Sequence, residues 1–403
     1  MTKFHIGKPT PPEDLVDRKS EITYLKTRLI STSLNYNVAV IGYRRIGKTS
    51  ILLKIKDILS KDKKFVVVYF DVKKNMGEPK IFITRLARAI FDAYLDKLGA
   101  MEKISAKTKQ YSSIIPKLVS AITSKKIKSI GADISPDGTI SPKIEFGDKV
   151  ADYSSYFLSV LQTPTAFAEQ SNLKFVIILD EFQDFADLNR YPGLKNIFDL
   201  FRSIIQERGN VSFVISGSRV HLLESILSSG TSSLFVHFER LAIKEMDEEN
   251  SILLFNKYLK ARKIKPDNST AKESYQLVGG QPFYLMAMAE AWKKGDSVLE
   301  IFNHLLTDPL GSLKLYAEYV LSEDLGDATG GPILKTILRA LSDTDTGYSY
   351  SEISKKIATP MDTISRYMPS LENADLIHQE NRSFRIRDKV IREYLRLETD
   401  ELA

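Results

Sequence analysis

A chain of 403 residues, 43% hydrophobic and 27% charged, is long enough for two or three domains with cores of their own. It has no cysteine, which excludes disulfide frameworks, thiolate nucleophiles and Cys-ligated zinc, and its apolar runs fall well short of the roughly 20 residues that span a bilayer. The net charge of +6 is uneven: residues 1–150 carry 29 basic against 15 acidic side chains, 151–329 carry 17 against 24, and 330–403 carry 11 against 12.

A basic first third suits either a polyanionic partner or a solvated lysine-rich surface. With no signal-peptide core at the amino terminus and no cysteine, a cytoplasmic location is expected. The five histidines show no metal-ligand spacing and are read as structural or surface residues.

Pro9, Pro11 and Pro12 mark an extended lead-in, followed by a helix with Ile22, Leu25, Leu29 and Ile30 at helical spacing and Ser20 as its N-cap. Asn37 to Tyr43 reads as the first strand. It runs into Gly42-Tyr43-Arg44-Arg45-Ile46-Gly47-Lys48-Thr49-Ser50, a G-x-x-x-x-G-K-[ST] pattern at a strand-to-helix turn. Glycines there let the backbone wrap a polyphosphate while the N–H groups opening the helix face it. Lys48 is the side-chain cation placed to reach the β- and γ-phosphates, and the Thr49 hydroxyl is placed to ligate Mg²⁺.

Lys64 to Val72 is an almost continuous apolar run, as in a parallel strand covered on both faces, and Ile81 to Leu98 is an amphipathic helix. Lys103, Lys107, Lys109, Lys117, Lys125, Lys126 and Lys128 then face Glu102 as the one acid up to Ile130. About residues 125–147, around Ser135-Pro136-Asp137-Gly138, an inserted β-hairpin is expected. Tyr153 to Gln170 reads as helix.

Lys174 to Phe182 is a third buried strand whose carboxyl end bears Asp180 and Glu181. Asp180 is the candidate to hold Mg²⁺ beside Thr49, and Glu181 the candidate to orient the attacking water. After a helix over Ile197 to Arg208, a fourth strand, Val211 to Ser218, ends in Ser216-Gly217-Ser218-Arg219. Its hydroxyls are placed to sense the γ-phosphate through the water, and Arg219 to stabilise developing charge. Leu234 to Leu241 reads as a fifth strand.

From Met246 the period is helical throughout, giving a lid domain over about 244–329 after a P-loop domain over 1–243. Asp327 to Pro332 is a linker. Residues 330–403 read helix, helix, helix, two short strands and a closing helix, the order of a winged helix-turn-helix. Met361 to Met368 would be its recognition helix, with Asp362, Thr363, Ser365 and Arg366 exposed and Pro369 kinking or shortening it. The fold class is therefore α/β, a P-loop NTPase parallel sheet flanked by helices, followed by an all-α lid and a winged helix.

These pieces together resemble the archaeal ATPases of the signal-transduction (STAND) class within the AAA+-like P-loop superfamily, relatives of the archaeal origin-recognition ATPases. Leu15-Val16-Asp17-Arg18-Lys19-Ser20-Glu21 is similar to the family's adenine-side box, with Asp17 where glycine is usual. Leu179 to Gln183 is similar to its D-E-F-Q strand, and Ile215 to Ser218 to its sensor strand. Gly280-Gln281-Pro282 is similar to its G-x-P motif, whose proline packs near the adenine.

The resemblance implies ATP or ADP bound through Leu15, Val16, Arg18, Pro282 and the phosphate loop, with Mg²⁺ and a switch that moves the winged helix. The family's Gly-Arg pair before the fifth strand is missing, leaving Arg219 or Arg240 as substitutes and implying slow or partner-stimulated hydrolysis. Double-stranded DNA and a protein are the alternative partners: the first makes the chain a DNA-binding ATPase, the second an interaction module that need not turn over nucleotide. The sequence leaves its oligomeric state open.

Overall fold

The computed structural model describes residues 6–31, 35–101, 130–134, 140–144, 153–207, 209–228, 234–325 and 330–400. The lysine-rich stretch from Lys103 to Lys128 lies outside them. The amino-terminal half contains α1 (Lys19–Ile30), β1 (Val38–Ile41), α2 (Lys48–Ser60), β2 (Phe65–Asp71), the single turn α3 (Val72–Asn75) and α4 (Pro79–Met101). An antiparallel hairpin, β3 (Ile130–Ile134) and β4 (Ile140–Ile144), occupies the expected insertion. Next come α5 (Tyr153–Ser171), β5 (Lys174–Asp180), a 3-10 helix (Phe182–Arg190), α6 (Ile197–Ile205), β6 (Val211–Gly217), α7 (Val220–Ser228) and β7 (Glu239–Ala242).

Strands β2, β5, β6, β1 and β7 form one sheet in that order, every pair parallel. Its side chains alternate between two cores. Ile41, Val68, Phe70, Ile177 and Ile215 face α4, α5 and α6. Val38, Val40, Val67, Ile178 and Val214 face α1 and α2. A sheet buried on both faces explains why its strands read as continuous apolar runs. The β5–β6 neighbourhood puts Asp180 and the Ser216 end of β6 side by side at the carboxyl edge.

Three local expectations are corrected. Helix α1 begins at Lys19, with Arg18 in the left-handed region (φ 70°) as its N-cap, and the Ser20 hydroxyl bonds Glu21 instead. Strand β7 begins at Glu239 rather than Leu234. Leu234 and Phe238 are both buried four residues apart while Val236, at φ 58°, is 81% exposed, so this stretch turns before it pairs. The helix runs on through Pro369 to Asn373, so the proline does not shorten it: Pro369 lies on the exposed face, while Ile364, Met368 and Leu371 anchor the buried face.

The carboxyl-terminal half contains α8 (Glu248–Ala261), α9 (Asn268–Val278), α10 (Pro282–Ala291), α11 (Val298–Thr307), α12 (Ser312–Leu325), α13 (Gly331–Ser342), α14 (Tyr350–Lys356), α15 (Met361–Asn373), the antiparallel pair β8 (Ile377–Glu380) and β9 (Ser383–Ile386), and α16 (Lys389–Asp400). One continuous apolar core runs from Met246 through Leu321 to Leu395, so α8–α12 and α13–α16 pack as a single body. Among the described residues no helix is long and apolar enough to cross a membrane.

Candidate functional site

Strand β1 delivers the chain to Gly42, where an added Cβ would lie 2.8 Å from the Ile243 carbonyl oxygen, so only glycine fits. Gly47, at φ 101°, turns the chain into α2, and Arg45 also takes a left-handed conformation (φ 63°). Ile46 is buried in the α1/α2 core and pins the loop between these turns. The first N–H groups of α2 therefore open into the loop without helical partners. Lys48 is buried, and its ammonium donates to the Gly42 and Tyr43 carbonyls at 2.7 and 2.8 Å. Burial pushes its pKa down, opposed by the charges of Glu181 and Asp180.

Asp180 is the hub of the adjoining polar cluster. Its Oδ2 accepts hydrogen bonds from Thr49 Oγ1 and from the Tyr69 hydroxyl, both at 2.7 Å, and its Oδ1 accepts from the Ser216 hydroxyl. Burial and the Asp180 charge raise the Tyr69 pKa far above its ordinary value, so Tyr69 stays a donor. Thr49 and Asp180 thus present two hard oxygens at contact distance, the donor type that Mg²⁺ takes.

Glu181 follows at φ 53°, a strained conformation for this residue. Its Oε2 accepts from Ser218 N at 3.0 Å, Ser218 Oγ at 2.8 Å and Gln183 Nε2 at 2.7 Å. Burial opposes ionisation, but Lys48 and these donors outweigh it and hold the carboxyl below its usual range.

Asp184, one turn on, is pushed the other way, to about 6, by burial and then by the Glu181 charge. The sign follows from linkage: folding favours its protonated form, so stability falls as pH rises from its ordinary 3.8 through about 6. The full gap is worth up to about 3 kcal/mol. Asp184→Asn is expected to raise the unfolding free energy near pH 7 by up to that amount and to leave it unchanged near pH 3, measured by urea titration at the two pH values.

Both clusters open into one cavity of about 390 Å³. Its polar end is lined by Gly47, Lys48, Thr49, Asp180, Glu181 and Arg219, with Ser218 and Ser50 beside them. Its apolar end is lined by Leu15, Val16, Met246, Leu254, Pro282 and Met286, from the amino-terminal segment, α8 and the start of α10. Asp17 sits at φ 62°, a backbone conformation that favours glycine. Arg18 is 4% exposed and donates to the Ile46 carbonyl at 3.2 Å, tying the amino-terminal segment to the loop before α2. Gly42 and Tyr43 lie beneath the loop rather than on the cavity wall. The Tyr43 ring instead carries the Arg387 guanidinium 4.5 Å from its centroid.

Lys48 is not the lone cation, because Arg18, Arg44, Arg45 and Arg219 also line the cavity. Arg44 bonds Asp324 of α12 at 3.0 Å, while Arg45 lies over the Phe283 ring at 4.9 Å. Of the two substitute arginines, Arg219 faces the cavity, and Arg240 instead bonds the Leu227 carbonyl and Ser228 hydroxyl at the end of α7. Sequence reasoning missed Tyr69, the Arg44–Asp324 pair and the role of the Gln183 amide. Tyr69 left one signal, a polar tip within an otherwise apolar strand.

Residues 15–288 match the model of a family described as an ATPase domain predominantly from Archaea. No curated protein matches the chain. Among solved structures, the Walker-type ATPase of Pyrococcus abyssi superposes with a TM-score of 0.66 at 19% identity, covering 95% of this chain and 97% of that one. The ORC2 protein of Aeropyrum pernix, in ADPNP and ADP complexes, superposes at 0.56 with 11% identity, covering 98% of each chain. At these identities the likeness is one of fold.

Proposed function

The chain belongs to that archaeal-type ATPase family and is a P-loop ATPase, and from this premise we propose that it is a Mg²⁺-dependent molecular switch whose nucleotide state moves a carboxyl-terminal winged-helix module. The observation that carries the reading is the Thr49–Asp180 contact at the mouth of the phosphate loop, with Glu181 beside it. Thr49 and Asp180 would hold the ion, which when bound neutralises charge on the β- and γ-phosphate oxygens. Lys48 and the α2 N–H groups grip the triphosphate, Glu181 orients the attacking water, Ser218 anchors Glu181, and Arg219 stabilises the developing charge. The apolar end of the cavity takes the adenine between Val16 and Pro282.

Coupling rests on where the second body touches the first. Asp388, partly buried, accepts a hydrogen bond from Tyr284 of α10 at 2.6 Å, and the preceding residue, Arg387, covers Tyr43 of the phosphate loop. Thus consecutive residues just before α16 join the lid helix to the loop. His221 of α7 pairs with Asp375 at 2.5 Å, just beyond the Ser218-Arg219 tip. The lid and the winged helix share one core and move together.

The Arg44–Asp324 pair closes this body on the loop. Asp324→Ala leaves the Arg44 guanidinium without its carboxylate and should release ADP about tenfold faster or more, read by stopped-flow with a fluorescently labelled nucleotide.

For the module's partner we favour a protein over DNA. Residues 330–403 carry 11 basic against 12 acidic side chains and supply little counterion release. The deciding experiment is ATPase turnover with Mg²⁺, with EDTA, and with double-stranded DNA. Loss of turnover in EDTA and indifference to DNA are expected. Turnover in EDTA refutes the metal assignment, and stimulation by DNA replaces the protein-directed switch with a DNA-processing one.

A further inference from the structure

Gln183 stands two residues past Glu181 in the first turn of the 3-10 helix and is 2% exposed. Its Nε2 donates to Glu181 Oε2 at 2.7 Å and lies 3.5 Å from Asp184 Oδ1. The amide cannot be turned over, because its oxygen would then face a carboxylate. Its Oε1 is buried without a hydrogen-bond partner among the described residues and occupies the space where a Cβ of Gly217, the last residue of β6, would stand. A Cβ at position 217 would collide with that oxygen. A buried amide that leaves one end unsatisfied gives up a hydrogen bond it would have made in water. Core packing alone favours an apolar side chain there.

The hydrogen bonds on Glu181 are one-sided. Ser218 N, Ser218 Oγ and Gln183 Nε2 all converge on Oε2, while Oε1 accepts none among the described residues. Glu181 lines the cavity. One oxygen is clamped between two elements, the β6 tip and the 3-10 helix, and the other is left for the cavity.

We infer that Gln183 is a positioning residue for hydrolysis, clamping Glu181 Oε2 so that Oε1 faces the attacking water, and that Gly217 is glycine because the Gln183 amide must pass over it. The inference rests on the reading of Glu181 as the water-orienting carboxylate. Gln183 reaches the cavity wall, but the contacts assigned to it are with Glu181 and Gly217, so its effect is expected in turnover rather than in binding.

Gln183→Met keeps the buried volume and removes the donor. It is expected to lower kcat about tenfold or more, since a misplaced base loses its alignment with the water, and to leave KM and the calorimetric ATP affinity within about twofold. Gly217→Ala displaces the same amide from the opposite side and should reproduce that split. Because both act through one contact, the double variant should fall no lower than the worse single variant.

A kcat within about twofold of the parent in Gln183→Met, or losses that multiply in the double variant, overturns the inference. If Gln183→Met does not fold, Gly217→Ala alone decides by the same kcat criterion. Glu181→Gln measured alongside separates the two levels. Turnover that survives in Glu181→Gln removes the reading beneath the inference. Turnover lost there but undiminished in Gln183→Met removes the inference alone.

Discussion

Replacing Lys48 by alanine is expected to abolish ATP binding, with affinity falling by several hundredfold or more in a calorimetric titration. Two charge-assisted hydrogen bonds to phosphate oxygens, at about 1.5–3 kcal/mol each, supply that loss. The ammonium is already desolvated and held by the Gly42 and Tyr43 carbonyls, so it needs only to exchange neutral acceptors for charged ones when nucleotide arrives. For the same reason the fold should tolerate its removal. Alanine removes the desolvation cost of the buried ammonium but also the charge that favours the ionised Glu181, so the two effects oppose one another. A variant that still unfolds cooperatively, together with lost binding, is the expected pair of results. Undiminished affinity would refute the site, even though Arg44, Arg45 and Arg219 share the cavity wall.

The features that could be read from the sequence were those whose cause is local. The phosphate loop is legible because Gly42 and Gly47 answer steric demands within a few residues. The acidic strand end is legible because β5 is buried on both faces and a charged pair can sit only at its exit. The hairpin is visible in its turn signal. Helix α7 escaped: Leu223, Ile226 and Leu227 have helical spacing, but nine residues give the period little room to declare itself. β7 was misplaced because its buried side chains, Leu234 and Phe238, belong to the preceding turn.

Contacts across the chain left no pattern to read. Tyr69 meets Asp180 through the β2–β5 pairing, and Arg44 meets Asp324 only because α12 folds back 280 positions later. The one-sided clamp on Glu181 was equally hidden, since D-E-F-Q names the residues without saying which oxygen the amide will hold.

Glu181→Gln is expected to retain ATP binding and lose turnover by about 10²–10⁴-fold, the range typical of removing a positioned general base. The amide is nearly isosteric, and its carbonyl can keep the two Ser218 hydrogen bonds, so the loop, Lys48 and the apolar end of the cavity should be undisturbed. The substitution also removes a negative charge beside the triphosphate, which should hold or slightly tighten binding. Single-turnover phosphate release measures the chemical step directly, and a normal rate would discard the role.

The variant has a second use. Trapped with ATP, it can be compared with nucleotide-free Lys48→Ala by a distance probe between α7 and the Asp375 turn, where His221 and Asp375 join the two bodies. If ATP drives the switch, the two variants must differ in that distance. Equal distances would mean that the carboxyl-terminal body does not follow the nucleotide, and the site would then be an ATPase without the coupled motion.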